Sequence, residues 1–347
     1  MEQQTISLKP VSFAEIDGWA ADDHAAAFAV LLKSCRKRSV GNSACKEALA
    51  LGKQVGRQQA RHFFEAHYTP HRIEARPEAG LVTGYYEPEL EGSRKRSGKF
   101  QIPVYARPGD LVSVKPDLLR ALYNDGLSVM RKDGEQLVPY YTRAEIEAGA
   151  LAGRGLELLY LDDPVELFFM QIQGSGRVRL PDGSWVRLGY AAKNGHSYTS
   201  IGKRLVERGE KPPQGLTMEG LKSWLRADPV RGRALMHENK SYVFFRELPQ
   251  AEAGEGPVGA QGVPLTAGRS LAVDAAYHSL GTPIFVMAPD LAVGGAPLRR
   301  LMIAQDVGSA IRGPQRGDIF FGTGEAAGAI AGTTKHATRF YILLPKR

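Results

Sequence analysis

Three aspartates in the last third of the chain have the residue type and placement that acid–base chemistry needs. Asp274 closes the apolar run SLAVD, Asp306 closes LMIAQD, and Asp318 opens GDIFF. Each abuts a run of β character and stands near glycine or small residues. A carboxyl at the end of a buried strand is partly desolvated, and a second acid nearby adds to that effect; both raise its pKa. A carboxyl that keeps its proton near neutral pH can act as a general acid. The competing reading is that strand-end aspartates cap turns, which accounts for most such residues taken singly. Three of them beside core strands of one small β domain can converge in space, and isolated turn caps do not explain that.

Other chemistries fail at the motif level. GSGRVRLPDG is rich in glycine but lacks the GxxxxGK[ST] phosphate loop. GTGEAAG loosely fits a dinucleotide pattern, yet it follows a strand without a βαβ frame. GxSxG and HExxH are absent, and the 8 histidines are scattered, as surface or packed histidines are. No metal and no cofactor are therefore expected. Cys35 and Cys45 stand ten residues apart with no CxxC and no clustered histidine. They are either one local disulfide or two thiols, and the turn-forming Gly41-Asn42-Ser43 between them favours the disulfide.

The elements that must position these residues are legible in outline. Asp22 or Asp23 can cap a helix through HAAAFAVLLKSCRK. Ser43 can cap a second, running unbroken through CKEALALGKQVGRQQARHFFEAHY until Thr69-Pro70-His71 ends it. The texture then changes to short apolar runs punctuated by Gly and Pro: LVTGYYEPELEG, QIPVYA, LELLYL, VRLPDGSWVRLGYA and SYVFFREL. Asp-Gly in LPDGSW marks a hairpin. Helices are expected in TRAEIEAGAL, with a Thr142–Glu145 capping box, in DPVELFFMQIQ, in TSIGKRLVER and in TMEGLKSWLRAD. AEAGEGPVGAQGVP reads as an exposed loop. The final hundred residues read as strands with almost no helix, and short strands with frequent glycine favour a small closed barrel.

Composition bounds the rest. The 347 residues allow about two domains at ~150 residues each. No apolar stretch approaches the roughly 18–20 residues that span a bilayer, and MEQQTISLKPVSF lacks a signal-peptide pattern. An integral membrane protein, a collagen and a disordered tail are excluded. The net charge of +8 is either a solvated surface or a surface for an extended anionic polymer. Its densest run, Ser93 to Ser97, has no nucleic-acid signature beside it, so no nucleic-acid partner is expected.

The long motifs carry a resemblance. SLAVDAAYHSLGTPIFV and AQDVGSAIRGPQRGDIFFG, with their aspartates, resemble the three-aspartate, double-psi β-barrel domain. GYYEPELEGSRKRSGKFQIPVYARP, YYTRAEIEAG and ELFFMQIQGSGRVRLPDGSWVRLGYAAKNGHSYTSIG resemble the middle region of the membrane-bound lytic transglycosylase A family. The likeness runs from about Thr83 to Tyr341. It implies a mainly β chain with helices: residues 1–88 and 241–347 forming a helical segment plus a double-psi β-barrel domain, residues 89–240 an inserted β-rich domain, and a groove between them. The implied setting is the periplasm, in association with the outer membrane, although no lipobox cysteine is present.

The resemblance also implies an activity. Enzymes of this family cleave the β-1,4 bond between N-acetylmuramic acid and N-acetylglucosamine in peptidoglycan without water, leaving a 1,6-anhydro end, here in exolytic fashion. Asp306 matches the single catalytic acid/base, with Gly308 and Ser309 small enough to admit a sugar. Asp318 takes a substrate-binding or charge-stabilising role, and Asp274 that of a structural acid. Gln171, Gln173, Gly174 and Ser175 offer groups for N-acetyl and hydroxyl contacts, or simply form a helix C-terminus. Tyr85, like Tyr86, offers a ring to stack on sugar, or packs; Thr83 and Gly84 would border the cleft. The partners implied are peptidoglycan glycan strands, with cell-wall synthesis or division proteins, for a monomeric protein. Two alternatives remain open: a muramidase using two carboxylates and water, and a non-catalytic wall-binding module.

Overall fold

The structure, a computed structural model, describes residues 6–37, 43–75, 79–114, 127, 129–212, 215–249 and 255–346. The chain forms two units: Met1–Tyr86 with Ala251–Arg347, and Glu87–Gln250. Along the chain, the first unit begins with β1 (Ser7–Pro10), α1 (His24–Lys37), α2 (Ser43–Leu51), α3 (Arg57–His67), β2 (Tyr68–Glu74) and β3 (Gly80–Glu87). The second unit holds β4 (Glu89–Ser93), β5 (Ile102–Tyr105), β6 (Leu111–Ser113), β7 (Val129–Asp133), β8 (Gln136–Pro139) and β9 (Glu157–Leu161). It continues through α4 (Pro164–Gln173), β10 (Ser175–Arg179), β11 (Trp185–Lys193), α5 (Ile201–Glu207), α6 (Met218–Ala227), α7 (Pro229–Glu238) and β12 (Val243–Leu248). The first unit resumes with β13 (Ser270–Val273), β14 (Pro283–Val293), β15 (Ala296–Val307), β16 (Arg316–Thr323), α8 (Glu325–Thr333) and β17 (Lys335–Pro345). No helix among the described residues is long and apolar enough to cross a membrane.

In the first unit the strands run β1-β2-β17-β14-β15-β13-β16-β3, and β3 also pairs with β17. That last pairing closes the strands from β17 to β3 into a ring, the small closed barrel expected from the glycine-punctuated strands. Side chains alternate between its faces. Ile284, Val286, Met302 and Ala304 fill the interior with Leu271, Ile319 and Phe340. Their neighbours Phe285, Leu301 and Ile303 point outward and are covered by α1–α3 through Phe28, Leu31 and Phe64. Strands buried on both faces read as continuous apolar runs, which is why these segments lack a polar alternation.

The helical layer corrects one expectation. The helix foreseen from Ser43 to Tyr68 is two helices, because Gly52 adopts φ 76° and ends α2, and α3 restarts at Arg57. Asp23 caps α1 by accepting from the Ala26 N–H at 3.2 Å. Cys35 and Cys45 form a disulfide that ties α1 to α2; Gly41 and Asn42 of the proposed turn lie outside the described residues. The nearly helix-free reading of the C-terminal part is also corrected. α8 lies in GTGEAAGAIAG, where no side chain caps its start and two glycines weaken it. Tertiary packing forms it: a methyl group at Gly328 would sit 2.8 Å from the Tyr86 ring.

In the second unit a six-stranded sheet runs β12-β11-β10-β4-β9-β5, beside a three-stranded β6-β7-β8 sheet. The Asp-Gly hairpin joins β10 to β11, with Gly183 at φ 83°. Asp163, Ser200 and Thr217 cap the three helices expected here, α4, α5 and α6. The Thr142–Glu145 capping box is present but opens a single turn, which widens into a π-turn at Ile146–Ala150. α7 was not foreseen, although Asp228 caps it and Pro229 starts it.

Candidate functional site

Asp306 and Asp318 stand on the two strands that flank β13. Ala272 of β13 is in register with Asp306 on one side and with Asp318 on the other. Cross-strand partners share a face, so both carboxylates rise over the methyl of Ala272. Two strand spacings separate their backbones by about 10 Å. The arrangement depends on an irregularity: Leu271 pairs with Ala304, but Ala272 pairs with Asp306, skipping Gln305. Regular alternation would send Asp306 into the barrel interior with Met302 and Ala304. The register shift turns it onto the outer face beside Asp318.

Neighbours complete the first carboxylate. Tyr85 of β3 donates its hydroxyl to Asp306 Oδ2 at 2.9 Å, and the backbone N–H groups of Ala260 and Val307 donate to Oδ1 at 2.9 and 3.0 Å. Burial nonetheless pushes the Asp306 pKa above its ordinary value, outweighing these three bonds. Burial beside Asp306 also drives the Tyr85 hydroxyl well above the usual tyrosine range, so it stays a donor. Asp318 accepts from Thr83 Oγ1 at 2.5 Å, and Arg316 Nη2 donates to the same hydroxyl at 2.8 Å. Burial pushes Asp318 up to about 6; the Thr83 bond and Arg316 oppose the rise, and Asp306 adds to it. The pair thus comprises two half-buried carboxyls, each with raised proton affinity and its own hydroxyl donor.

The other expected residues sort by position. Thr83 and Tyr85 share one face of β3 and reach the two aspartates, but Gly84 faces away. A methyl group there would lie 2.6 Å from the Phe321 ring and 2.8 Å from Ala331 Cα, so Gly84 serves packing against α8. The rings expected to stack on sugar are buried: Tyr85 lies 5.4 Å from Phe320, and Tyr86 lies against Gly328. Tyr85 reaches the site through its hydroxyl alone. Gly308 packs its α-carbon on Ile311 in the turn after Asp306, and Ser309 is exposed there. Asp274 is buried. Its carboxylate accepts the N–H groups of Ala276 at 3.1 Å and Gly313 at 2.8 Å, with Arg312 3.4 Å away, tying two loops together.

Gln171, Gln173, Gly174 and Ser175 belong to the second unit, at the end of α4 and the start of β10. Gln171 is buried and donates to the Val243 carbonyl at 3.1 Å. Gly174 turns the chain at φ 80°, its N–H bonded to the Met170 carbonyl. Among the described residues no group of three or more His, Cys, Asp or Glu is placed to hold a metal ion. Sequence reasoning missed Arg316 and the backbone donors of Ala260 and Val307. Arg316 was signalled by its place two residues before Asp318; the Ala260 N–H had no signal, because any residue carries a backbone donor.

Comparison with known proteins places the chain among relatives. Residues 81–246 match the MltA specific insert domain, and residues 269–344 match the 3D domain. The chain is 36% identical over 270 residues to membrane-bound lytic murein transglycosylase A of Vibrio cholerae serotype O1, covering 76% of this chain and 65% of that protein. The Escherichia coli K12 protein of the same name is 37% identical over 268 residues, covering 75% of this chain and 64% of that one. The match thus spans just under two thirds of each relative. Among solved structures, a membrane-bound lytic murein transglycosylase from Agrobacterium tumefaciens superposes with TM-score 0.89 at 38% identity, over 98% of both chains. MltA from Neisseria gonorrhoeae gives 0.83 at 36%, over 99% of this chain and 96% of that. E. coli MltA with bound chitohexaose gives 0.75 at 30%, over 100% and 96%.

Proposed function

The chain belongs to the membrane-bound lytic murein transglycosylase A family, and from that membership we propose that it cleaves the β-1,4 bond between N-acetylmuramic acid and N-acetylglucosamine in peptidoglycan, exolytically and without water. The observation that carries this reading is Asp306: a half-buried carboxyl of raised pKa, held by Tyr85 and two backbone N–H groups. Protonated, it donates to the glycosidic oxygen as the bond to the anomeric carbon breaks. The resulting carboxylate, stabilised by the same three donors, then takes the proton of the muramyl 6-hydroxyl as that oxygen bonds to the anomeric carbon. Asp306 is returned carboxylate-to-acid, and no water is consumed. An attacking group already in the substrate supplies proximity, so a second catalytic carboxyl is not required, and neither is a metal or cofactor.

Asp318, steadied by Thr83 and Arg316, is assigned to stabilising positive charge at the anomeric centre. Asp274 is assigned to anchoring loops. Binding of a chitin oligomer by the E. coli relative supports a glycan strand as the ligand. A periplasmic, outer-membrane-associated setting is supported by the Cys35–Cys45 disulfide, which persists in oxidising compartments, and by the relatives' membrane-bound designation.

Peptidoglycan digested in ¹⁸O-water tests the reaction type. Mass spectrometry is expected to find anhydromuramyl ends without label. Labelled reducing ends would instead mean hydrolysis, with Asp318 as the second catalytic carboxylate. Asp306→Asn is expected to lose about 10²–10⁴-fold in rate while still binding glycan. Retention of more than a tenth of the activity would remove Asp306 from the acid/base role, and lost activity with retained binding separates an enzyme from a wall-binding module.

A further inference from the structure

Gln305, the residue skipped in the pairing of β13 with β15, lies fully buried under α1 and organises a directed run of hydrogen bonds. The Thr266 N–H donates to Ser270 Oγ at 2.8 Å, and Ser270 Oγ donates to Gln305 Oε1 at 2.6 Å. Gln305 Nε2 donates to the Val30 carbonyl at 3.2 Å and to Ser34 Oγ at 2.8 Å. Ser34 Oγ in turn donates to Gln261 Oε1 at 2.7 Å. The Val30 carbonyl can only accept, so it fixes which end of the Gln305 amide faces α1. Ser270 and Ser34 are as buried as Gln305. The Gln305 carbonyl takes the Gln261 N–H at 3.0 Å, and Gly259 approaches that carbonyl so closely that a methyl group there would be 2.7 Å from it. The run therefore grips both ends of the loop from Gln261 to Thr266. The residue next to that loop, Ala260, presents its N–H to Asp306. AEAGEGPVGAQGVP reads from sequence as an exposed loop, and its first four residues lie outside the described ones; the described part is anchored, with Val263 buried.

We propose that Gln305, acting with Ser34 and Ser270, is a positioning residue for the acid/base chemistry. It holds the register shift that turns Asp306 to the outer face, and it holds the loop that aims the Ala260 N–H at the Asp306 carboxylate. The proposal rests on Asp306 being the catalytic acid. Releasing the loop removes a donor that favours the ionised carboxylate, so Asp306 holds its proton to higher pH and returns it less well. Among the described residues the ionisable groups facing Asp306 are Tyr85 from β3 and Asp318 from β16, and neither belongs to the run.

Ser34→Ala and Gln305→Met, assayed for kcat, KM and the pH profile of anhydromuropeptide release, test this. Ser34→Ala is expected to lower kcat about tenfold, to change KM less than twofold, and to move the alkaline limb of kcat to higher pH. Gln305→Met is expected to do the same more strongly. Where Gln305→Met fails to fold, Ser34→Ala decides. A folded Ser34→Ala protein of lowered Tm with unaltered kcat and unaltered limb overturns the proposal, because it shows a merely structural run. Asp306→Asn, assayed alongside, separates the failures. An inactive Asp306→Asn with an unaltered Ser34→Ala overturns positioning alone, and an active Asp306→Asn overturns the reading beneath it.

Discussion

At the scale of the residue, Asp318 shows how far environment moves a carboxyl: its pKa stands at about 6 against an ordinary 3.8. Below pH 3.8 the folded and unfolded chains both hold the proton, and the site costs nothing. Between pH 3.8 and 6 the unfolded chain releases its proton while the desolvated carboxyl of the folded chain keeps it, so stability is lost as pH rises through that window and levels off once the folded carboxyl also ionises. Asp318→Asn has no proton to lose and keeps an oxygen to accept from Thr83. Its Tm is therefore expected to exceed that of the parent by a margin that grows between pH 4 and pH 7, worth up to about 2 kcal/mol. Thermal melts across that range check this, and a constant margin would show that the carboxyl is not buried at cost. The acidic pair was legible as residue type and strand-end position. Which carboxyl meets which hydroxyl was not, since Thr83 and Tyr85 lie more than two hundred residues away in the chain.

At the scale of the element, α1 does more than cover the barrel. Its first turn follows Asp22, whose carboxylate accepts from Arg269 Nη1 and Nη2 at 2.8 and 2.9 Å and from the Leu301 N–H at 2.7 Å. Its last turns carry Ser34 and Cys35, so the helix is tied to β15 near both ends and to α2 at its last turns. Closing a ten-residue separation removes loop entropy from the unfolded chain worth about 3 kcal/mol. Replacing both Cys35 and Cys45 with Ala is expected to lower unfolding stability by about 2–3 kcal/mol, read from the urea midpoint at unchanged m-value. A midpoint that stays in place would show that the link contributes nothing. Helix α1 was readable because it is capped, apolar on one face and ends in basic residues. Helix α8 was not, because its Ala–Gly composition acquires a helical preference only against Tyr86 and Gly84.

At the scale of the whole molecule, Glu87–Gln250 is one continuous stretch with its own apolar clusters. One lies around Leu159 and Phe245, another around Tyr242 and Phe244, and a third around Phe168 and Leu235. Residues 87–250 expressed alone are therefore expected to unfold cooperatively with heat, followed by far- and near-ultraviolet circular dichroism. A broad transition without near-ultraviolet signal would show that this unit depends on the other for its fold. The first unit is not one continuous stretch, since its barrel takes β3 from one end of the sequence and β13–β17 from the other. What the sequence determined by itself was local: apolar runs as strands, capped segments as helices, Asp-Gly as a hairpin, and acids at strand ends. The ring closure by β3 and β17, the register shift at Gln305 that points Asp306 outward, and the Ala260 donor were decided only by tertiary structure. Each depends on pairing between distant strands or on a backbone group common to every residue, and neither leaves a local pattern in side-chain chemistry.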